Sequence, residues 1–218
     1  MPSKLPQGVA FDLDGTLLDT ERLAKAGFRQ ACEDFQLPYQ ESLYNRCVGS
    51  THDATERYLQ EDFGVGFDYA TFSQCWKSHY YAMIEAEPVP IKEGIVPLIE
   101  RLQDRDIPMV VVTSSHRKTV EWKLGIHELN DRFEFLVCGD EVEIGKPDPW
   151  PYLHAMERLN LSPEVCWAIE DSGNGVRSAS SAGMVVYQIP DLIPPSNVER
   201  EMGHEILSSA LDLLPRLA

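Results

Sequence analysis

The chain has 218 residues, of which 43% are hydrophobic, and its 19 basic and 35 acidic side chains give a formal net charge of −16. A chain this long and this apolar can bury a full core, which excludes a disordered or fibrous protein. The negative charge repels nucleic acid and anionic membranes over most of the surface, so we expect neither as a partner.

The sequence contains no apolar run long enough to span a membrane, and its first residues lack the charged-then-apolar pattern of a signal peptide. We therefore expect a cytoplasmic protein and, at this size, a monomer. The cysteines are odd in number, scattered and never in CxxC spacing. They indicate neither a disulfide framework nor a zinc site.

Short apolar runs rich in β-branched residues predict buried strands, and segments with helical spacing separate the last four of them. Alternation of strand and helix favours an α/β fold with a parallel sheet. The predicted strands are 9–13, 109–112, 133–138, 165–169 and 184–189. The helices predicted between them are 117–129, 149–159 and 174–182, and a terminal helix is predicted at 206–217.

About ninety residues separate the first two strands, whereas a complete βαβ unit needs only about 30. Helical spacing in this interval predicts a small inserted helical domain at 17–87, which leaves 1–16 and 88–218 as the core domain. A proline-rich segment ending in Gly94 returns the chain to the core as a stiff hinge.

Two carboxylates, Asp12 and Asp14, stand where the first strand runs into a turn at Gly15. The carboxyl ends of parallel strands face the crevice in which α/β sheets bind ligands. One carboxylate there can attack a substrate while the other transfers protons. By itself, however, the pair also fits a strand end and a turn cap.

Three further segments place polar residues close to the end of a predicted strand. One offers hydroxyls and turn amides that can hold a phosphate oxygen, one a lysine between glycine and proline, and one a pair of acids. Each alone fits ordinary turn chemistry, but all of them in chain order favour one shared site. The residues are Thr113, Ser114, Ser115, Lys146, Glu170 and Asp171.

These segments, DLDGT, VVTSS, GKPDP and EDSGNG, resemble in order the four motifs of the haloacid dehalogenase superfamily. The match spans the whole catalytic core. The insertion at 17–87 is similar to the helical cap of the β-phosphoglucomutase-like branch. The resemblance implies a doubly wound sheet with strand order 3-2-1-4-5 and a phosphorylated small metabolite as substrate.

Magnesium is the cofactor expected at such a site, because it prefers hard oxygen ligands and keeps a substrate phosphate in its shell. By resemblance, its ligands are the Asp12 carboxylate, the Asp14 backbone carbonyl and Asp171. Glu170 is implied either as a direct ligand or as the group that holds a ligand water.

The resemblance also implies an aspartyl-phosphate mechanism. Asp12 is the expected nucleophile, and Asp14 protonates the leaving group and later deprotonates water. Lys146 and Thr113, with Ser114 and Ser115 nearby, are expected to bind the phosphate and neutralise its charge.

The family that the motifs resemble includes other chemistries. A dehalogenase has no use for Asp14, because a halide leaves without protonation. A phosphonatase needs a cap lysine, for which residues 21–35 offer only Lys25, without an apolar pocket in view. A mutase of the β-phosphoglucomutase type is the more serious alternative to a hydrolase.

The cap separates hydrolase from mutase. Where mutases of this branch have a histidine, a lysine and an arginine, this chain has Ala24, Val48 and His52, and these departures favour a hydrolase. Thr20, Gly49 and His52 are the cap residues expected nearest the substrate, although His52 fits a solvated helix start equally well.

A non-enzymatic alternative is a signalling or binding module that carries a reversible aspartyl phosphate. Asp14 and the cap argue against it, because a receiver needs no lid that excludes water. Our first expectation for the substrate is a hexose or pentose monophosphate.

Overall fold

The protein is described by a computed structural model that covers residues 5–48, 50 and 52–218. Its contacts divide the chain into two compact units. The first unit runs up to Asp19 and resumes at Pro90, and the second unit is Thr20–Val89. Within the described ranges, no helix is both long enough and apolar enough to cross a membrane.

The first unit is built on a parallel sheet. In the described part of the chain its strands are β1 Gly8–Phe11, β2 Met109–Val112, β3 Phe135–Val137, β4 Cys166–Glu170, β5 Val185–Gln188 and β6 Glu205–Ile206. Their order is β3-β2-β1-β4-β5-β6. The predicted fold class and the order of the first five strands are therefore confirmed. The sequence did not predict β6, because a two-residue edge strand is too short to show periodicity.

The central strands β1 and β4 bring two acidic residues to one edge of the sheet. Every residue of both strands is buried, as expected where helices cover both faces of a parallel sheet. Their register pairs Phe11 with Ile169. Asp12 and Glu170 follow these two residues directly, so both carboxylates lie at the carboxyl ends of adjacent strands.

The second unit is a helical bundle with an aromatic core. Its helices are α1 Glu21–Asp34, α2 Glu41–Cys47, α3 His52–Phe63 and α4 Tyr69–Ala86. Phe28 is fully buried, and the rings of Tyr44, Phe72 and Trp76 lie 5.4, 5.5 and 4.9 Å from it. Trp76 also donates a hydrogen bond to the Ala24 carbonyl over 2.7 Å. Trp76 is therefore part of the packing of this unit.

A polar contact near the surface joins α1 to α4. Asp34 Oδ2 lies 2.7 Å from His79 Nε2 and accepts a hydrogen bond from Cys75 Sγ over 3.4 Å. These bonds, the one with His79 most strongly, lower the pKa of Asp34. The three groups are close enough to hold a metal ion, but they satisfy one another, and we assign them a structural role.

Helices also connect the strands of the first unit. They are α5 Ile95–Gln103, α6 Arg117–Ile126, α7 Trp150–Leu159, α8 Gly173–Ser181 and the single turn α9 Asn197–Arg200. The prediction of one terminal helix at 206–217 is wrong. Ile206 belongs to β6, and Ala210–Leu217 forms a 3-10 helix that contains Pro215. A proline cannot donate the backbone hydrogen bond that an α-helix requires at this position.

Candidate active site

The carboxylate of Asp12 lies at the carboxyl end of β1, almost completely buried. The backbone N–H of Asp12 donates to the Ile169 carbonyl over 3.0 Å. Lys146 Nζ donates to Asp12 Oδ1 over 2.7 Å, to Glu170 Oε1 over 2.6 Å and to the Val112 carbonyl over 2.8 Å. One lysine side chain thus joins the ends of three neighbouring strands, β1, β2 and β4.

The charges of this cluster act strongly on one another because the groups are buried. Burial raises the pKa of Asp12 to about 7; Lys146 opposes the rise, and Glu170 and Asp14 add to it. Burial lowers the pKa of Lys146, but the carboxylates of Asp12 and Glu170 outweigh it and hold that pKa well above its usual range. Lys146 is therefore an ammonium, and its three N–H donors match the three acceptors around it.

Glu170 is completely enclosed in the first unit. Besides the bond from Lys146, its Oε1 accepts a hydrogen bond from Tyr152 Oη over 2.6 Å, and Ser172 Oγ lies 3.3 Å from Oε2. Gly175 packs so closely against it that an added Cβ would lie 1.9 to 2.0 Å from the carboxylate atoms. Tyr152 is not among the predicted site residues, and it lies on the buried face of α7.

Asp12, Glu170 and Asp171 form an acidic cluster at the sheet edge. Each offers a carboxylate oxygen, and these atoms all lie within 4.8 Å of one another. Gly15, at φ +84°, allows the turn after β1 to approach, because a Cβ there would lie 2.4 Å from Asp171 Oδ2. Three carboxylates face one ammonium, so the donor set is hard, oxygen-rich and negative. Such a set fits Mg²⁺.

Asp14 lies beside this cluster and has a polar partner on each of its two oxygens. Lys123 Nζ donates to Oδ1 over 2.5 Å, and Ser115 Oγ donates to Oδ2 over 2.6 Å. Lys123 is only 2% exposed. Lys123 is not among the predicted site residues, although the sequence carried a signal for it: it lies on the apolar face of α6 beside Val120 and Leu124, where a lysine is unexpected.

The predicted hydroxyls after β2 differ in their surroundings. Thr113 is buried, and its Oγ1 accepts a hydrogen bond from the Ser115 backbone N–H over 3.1 Å. Ser115 is partly buried and is bonded to Asp14, whereas Ser114 is exposed. The structure therefore brings Thr113 and Ser115, but not the Ser114 side chain, into the network around the carboxylates.

The predicted cap residues belong to the second unit. Thr20 is buried at the start of α1, and His52 begins α3 with its side chain largely exposed and its ring 4.9 Å from that of Tyr69. Gly49 lies outside the described residues. His52 also lines a pocket of about 260 Å³ in this unit, together with Ala24 and other residues. The assignment of these residues to substrate binding stays a prediction.

Comparisons with known proteins agree with this geometry. Residues 9–189 match the family model described as haloacid dehalogenase-like hydrolase. A Thermotoga maritima phosphorylated carbohydrates phosphatase is 32% identical over 95% of this chain and 100% of its own length. A Drosophila melanogaster protein named "Probable pseudouridine-5'-phosphatase" is 31% identical over 94% of this chain and 90% of its own length.

Among solved structures, β-phosphoglucomutase from Clostridium difficile has a TM-score of 0.78 over 98% of this chain and 97% of its own. At 18% identity this likeness shows the fold alone. The family model, by contrast, covers most of the chain and includes all of the residues of the acidic cluster and its lysines. The chain therefore belongs to the haloacid dehalogenase-like hydrolase family.

Proposed function

We propose that this chain is a magnesium-dependent phosphatase that hydrolyses phosphate monoesters of small metabolites through a phosphorylated Asp12. One observation carries the proposal: the Asp12 carboxylate lies at the sheet edge, fixed by a buried ammonium and flanked by two further acids. Both the family and the phosphatase names of its relatives support a phosphoric monoester hydrolase.

In the first half-reaction Asp12 attacks phosphorus in line with the ester oxygen. The bond from phosphorus to Asp12 forms as the bond to the leaving oxygen breaks, and Asp14 gives its proton to the departing alkoxide. In the second half-reaction water attacks the aspartyl phosphate and transfers a proton to Asp14. Orthophosphate then leaves, and both aspartates return to their starting states.

Lys146 supports this chemistry by fixing the nucleophile. Because its three N–H donors match Asp12, Glu170 and Val112, it orients Asp12 and offers the phosphate a nearby positive charge. Thr113 follows Val112 directly at the end of β2. Positioning and electrostatics of this kind supply most of the catalysis in phosphoryl transfer.

Asp12, Asp171 and the Asp14 backbone carbonyl are the groups we propose to hold Mg²⁺. Glu170 accepts hydrogen bonds from Lys146 and Tyr152 on one oxygen, which favours an indirect role in the metal site. When bound, the ion offsets the repulsion between the attacking carboxylate and the substrate phosphate.

For the substrate we propose a sugar monophosphate. The relatives named above act, by their names, on phosphorylated carbohydrates and on pseudouridine 5′-phosphate, both of which contain a sugar. The helical unit offers a pocket of about 260 Å³ with apolar, aromatic and polar walls. A pocket of this kind, an apolar cleft with a small number of polar groups, is typical of small-molecule sites.

We favour hydrolysis over the mutase reaction because of Ala24. The position of Ala24 corresponds to a histidine in mutases of the resembling branch, and a methyl group cannot transfer a proton. Its carbonyl already accepts the Trp76 indole N–H. A hydrolase needs only water at this stage of the reaction.

A substrate panel tests the proposal. Purified protein with Mg²⁺ is incubated with hexose and pentose phosphates, phosphoglycolate and nucleotides, while orthophosphate and isomerised sugar phosphates are measured separately. We expect orthophosphate from at least one sugar phosphate. Isomerisation without orthophosphate would favour a mutase. Labelling of Asp12 by acetyl phosphate without any turnover would favour the signalling module.

A further inference from the structure

We propose that Lys123 is a positioning residue, which together with Ser115 holds the carboxylate of Asp14 in place for its proton transfers. The inference rests on the function proposed above and adds a residue to it. Lys123 lies in none of the four motifs, between the second motif and the third.

The burial of Lys123 is the first argument. Its side chain is 2% exposed and lies on α6 between the fully buried Val120 and Leu124. A buried ammonium is costly unless it is paired and hydrogen bonded. Its partner is Asp14 Oδ1, at 2.5 Å. A lysine kept in an apolar helix face for this contact indicates a role at Asp14.

The second argument is that two different elements hold the two oxygens of Asp14. Lys123 reaches Oδ1 from α6, and Ser115 reaches Oδ2 from the loop after β2. Ser115 is itself fixed, because its backbone N–H donates to Thr113 Oγ1. The Asp14 side chain is 24% exposed, and a bond to each of its two oxygens restricts its rotation.

Fixing this carboxylate matters for proton transfer. A group that acts as acid and then as base must lie within hydrogen-bond reach of the reacting oxygen. Misplacing a catalytic group by a small distance lowers the rate strongly, even when the group itself is unchanged. Lys123 therefore acts on the reaction through the orientation of Asp14, without touching the substrate.

The test compares Lys123→Met with wild-type enzyme in a single turnover with Mg²⁺. Methionine keeps the apolar stem and removes the charge. The probes are glycerol 2-phosphate, whose alkoxide needs a proton to leave, and p-nitrophenyl phosphate, whose phenolate leaves without one. We expect release of glycerol in the first turnover to slow by about 100-fold, the lower end of the range for general acid–base catalysis, with p-nitrophenol release little changed.

Lys118→Met is the matched control, since Lys118 lies on the exposed face of the same helix, and it should behave as wild type with both probes. Ser115→Ala removes the Ser115 contact to Asp14. It should slow glycerol release by a smaller factor, again with p-nitrophenol release little changed. It also keeps the proposal testable if Lys123→Met does not fold, as judged by its unfolding transition.

Equal losses with both probes would mean that Lys123 has only a structural role and would overturn the proposal. Wild-type rates of glycerol release in both Lys123→Met and Ser115→Ala would overturn it as well. If wild-type enzyme releases neither product, the comparison is made with the sugar phosphate that the substrate panel identifies; if no member of the panel is hydrolysed, the proposed phosphatase function fails, and this inference fails with it. If wild-type enzyme is active, the result for Lys123 decides the inference alone.

Discussion

Asp12 and Glu170 lie at the ends of adjacent strands and accept hydrogen bonds from the same ammonium group, that of Lys146. The shared lysine fixes one oxygen of Asp12 and links it to a carboxylate that is completely buried. The order of β1 and β4 in the sheet creates this relationship, because residues far apart in sequence are neighbours at the strand ends. The geometry of Asp12, the proposed nucleophile, thus depends on the packing around Glu170.

Tyr152→Phe tests that dependence. The change removes the hydrogen bond to Glu170 and leaves a buried carboxylate with one donor fewer. We expect the free energy of unfolding to fall by about 1–3 kcal/mol. We also expect lower turnover, because a less firmly held Glu170 fixes Lys146 less well, and Lys146 in turn orients Asp12. Urea unfolding and phosphate release measure the two effects.

Tyr39→Phe is the control for that experiment. The buried Tyr39 hydroxyl has no hydrogen-bond partner among the described residues, so its removal breaks no bond and should neither lower stability nor change turnover. Equal stability of the Tyr152→Phe and Tyr39→Phe proteins would contradict the supporting role of Tyr152.

Gly175→Ala tests how tightly Glu170 is enclosed. The added methyl group would lie within 2.0 Å of the carboxylate of Glu170, which cannot move without breaking its bonds to Lys146 and Tyr152. We expect a loss of about 1–3 kcal/mol of stability, as for other overpacked cores, and a large loss of turnover. Thermal unfolding and a phosphate assay provide the readouts.

Gly66→Ala serves as the comparison, because a Cβ at Gly66 meets nothing within 4 Å. This variant should stay within about 0.5 kcal/mol of wild type. If Gly175→Ala were as stable and as active as Gly66→Ala, the close packing against Glu170 would have no functional meaning.

Chelation and Asp171→Asn test the proposed metal site. We expect EDTA to abolish phosphate release and added Mg²⁺ to restore it. In Asp171→Asn the Mg²⁺ concentration for half-maximal rate should rise at least about tenfold. Even the loss of a residue that only hydrogen-bonds a metal ligand lowers metal affinity by about that factor. The exposed Asp131→Asn should titrate like wild type. Full activity in EDTA would contradict a metal-dependent reaction.

The sequence predicted the elements whose signals are local and missed the groups that depend on packing. Strand runs and motif order were enough to predict the sheet order and the convergence of Asp12, Lys146 and Asp171 at one edge, since strand ends in a parallel sheet share that edge. Lys123 and Tyr152 lie inside helices, and only the tertiary fold shows which residues their polar ends reach.

Two other features that the sequence did not predict also depend on tertiary contacts. The edge strand β6 depends on pairing with β5 and has no pattern of its own, so the sequence did not reveal it. Ser114 and Ser115 are identical in the sequence, but the turn after β2 exposes Ser114 and directs Ser115 to Asp14. Neighbouring positions in a turn acquire different roles only in the folded chain.

Orthophosphate release from a sugar phosphate, measured with Mg²⁺ for wild type and Asp12→Asn, tests the central claim most directly. An amide at position 12 can still accept a hydrogen bond from Lys146, so the variant should fold and still bind ligand in a magnesium-dependent manner. We predict that it releases no orthophosphate, whereas the exposed control Asp104→Asn matches wild type. Release by Asp12→Asn at the wild-type rate would contradict the assignment of Asp12 as the nucleophile.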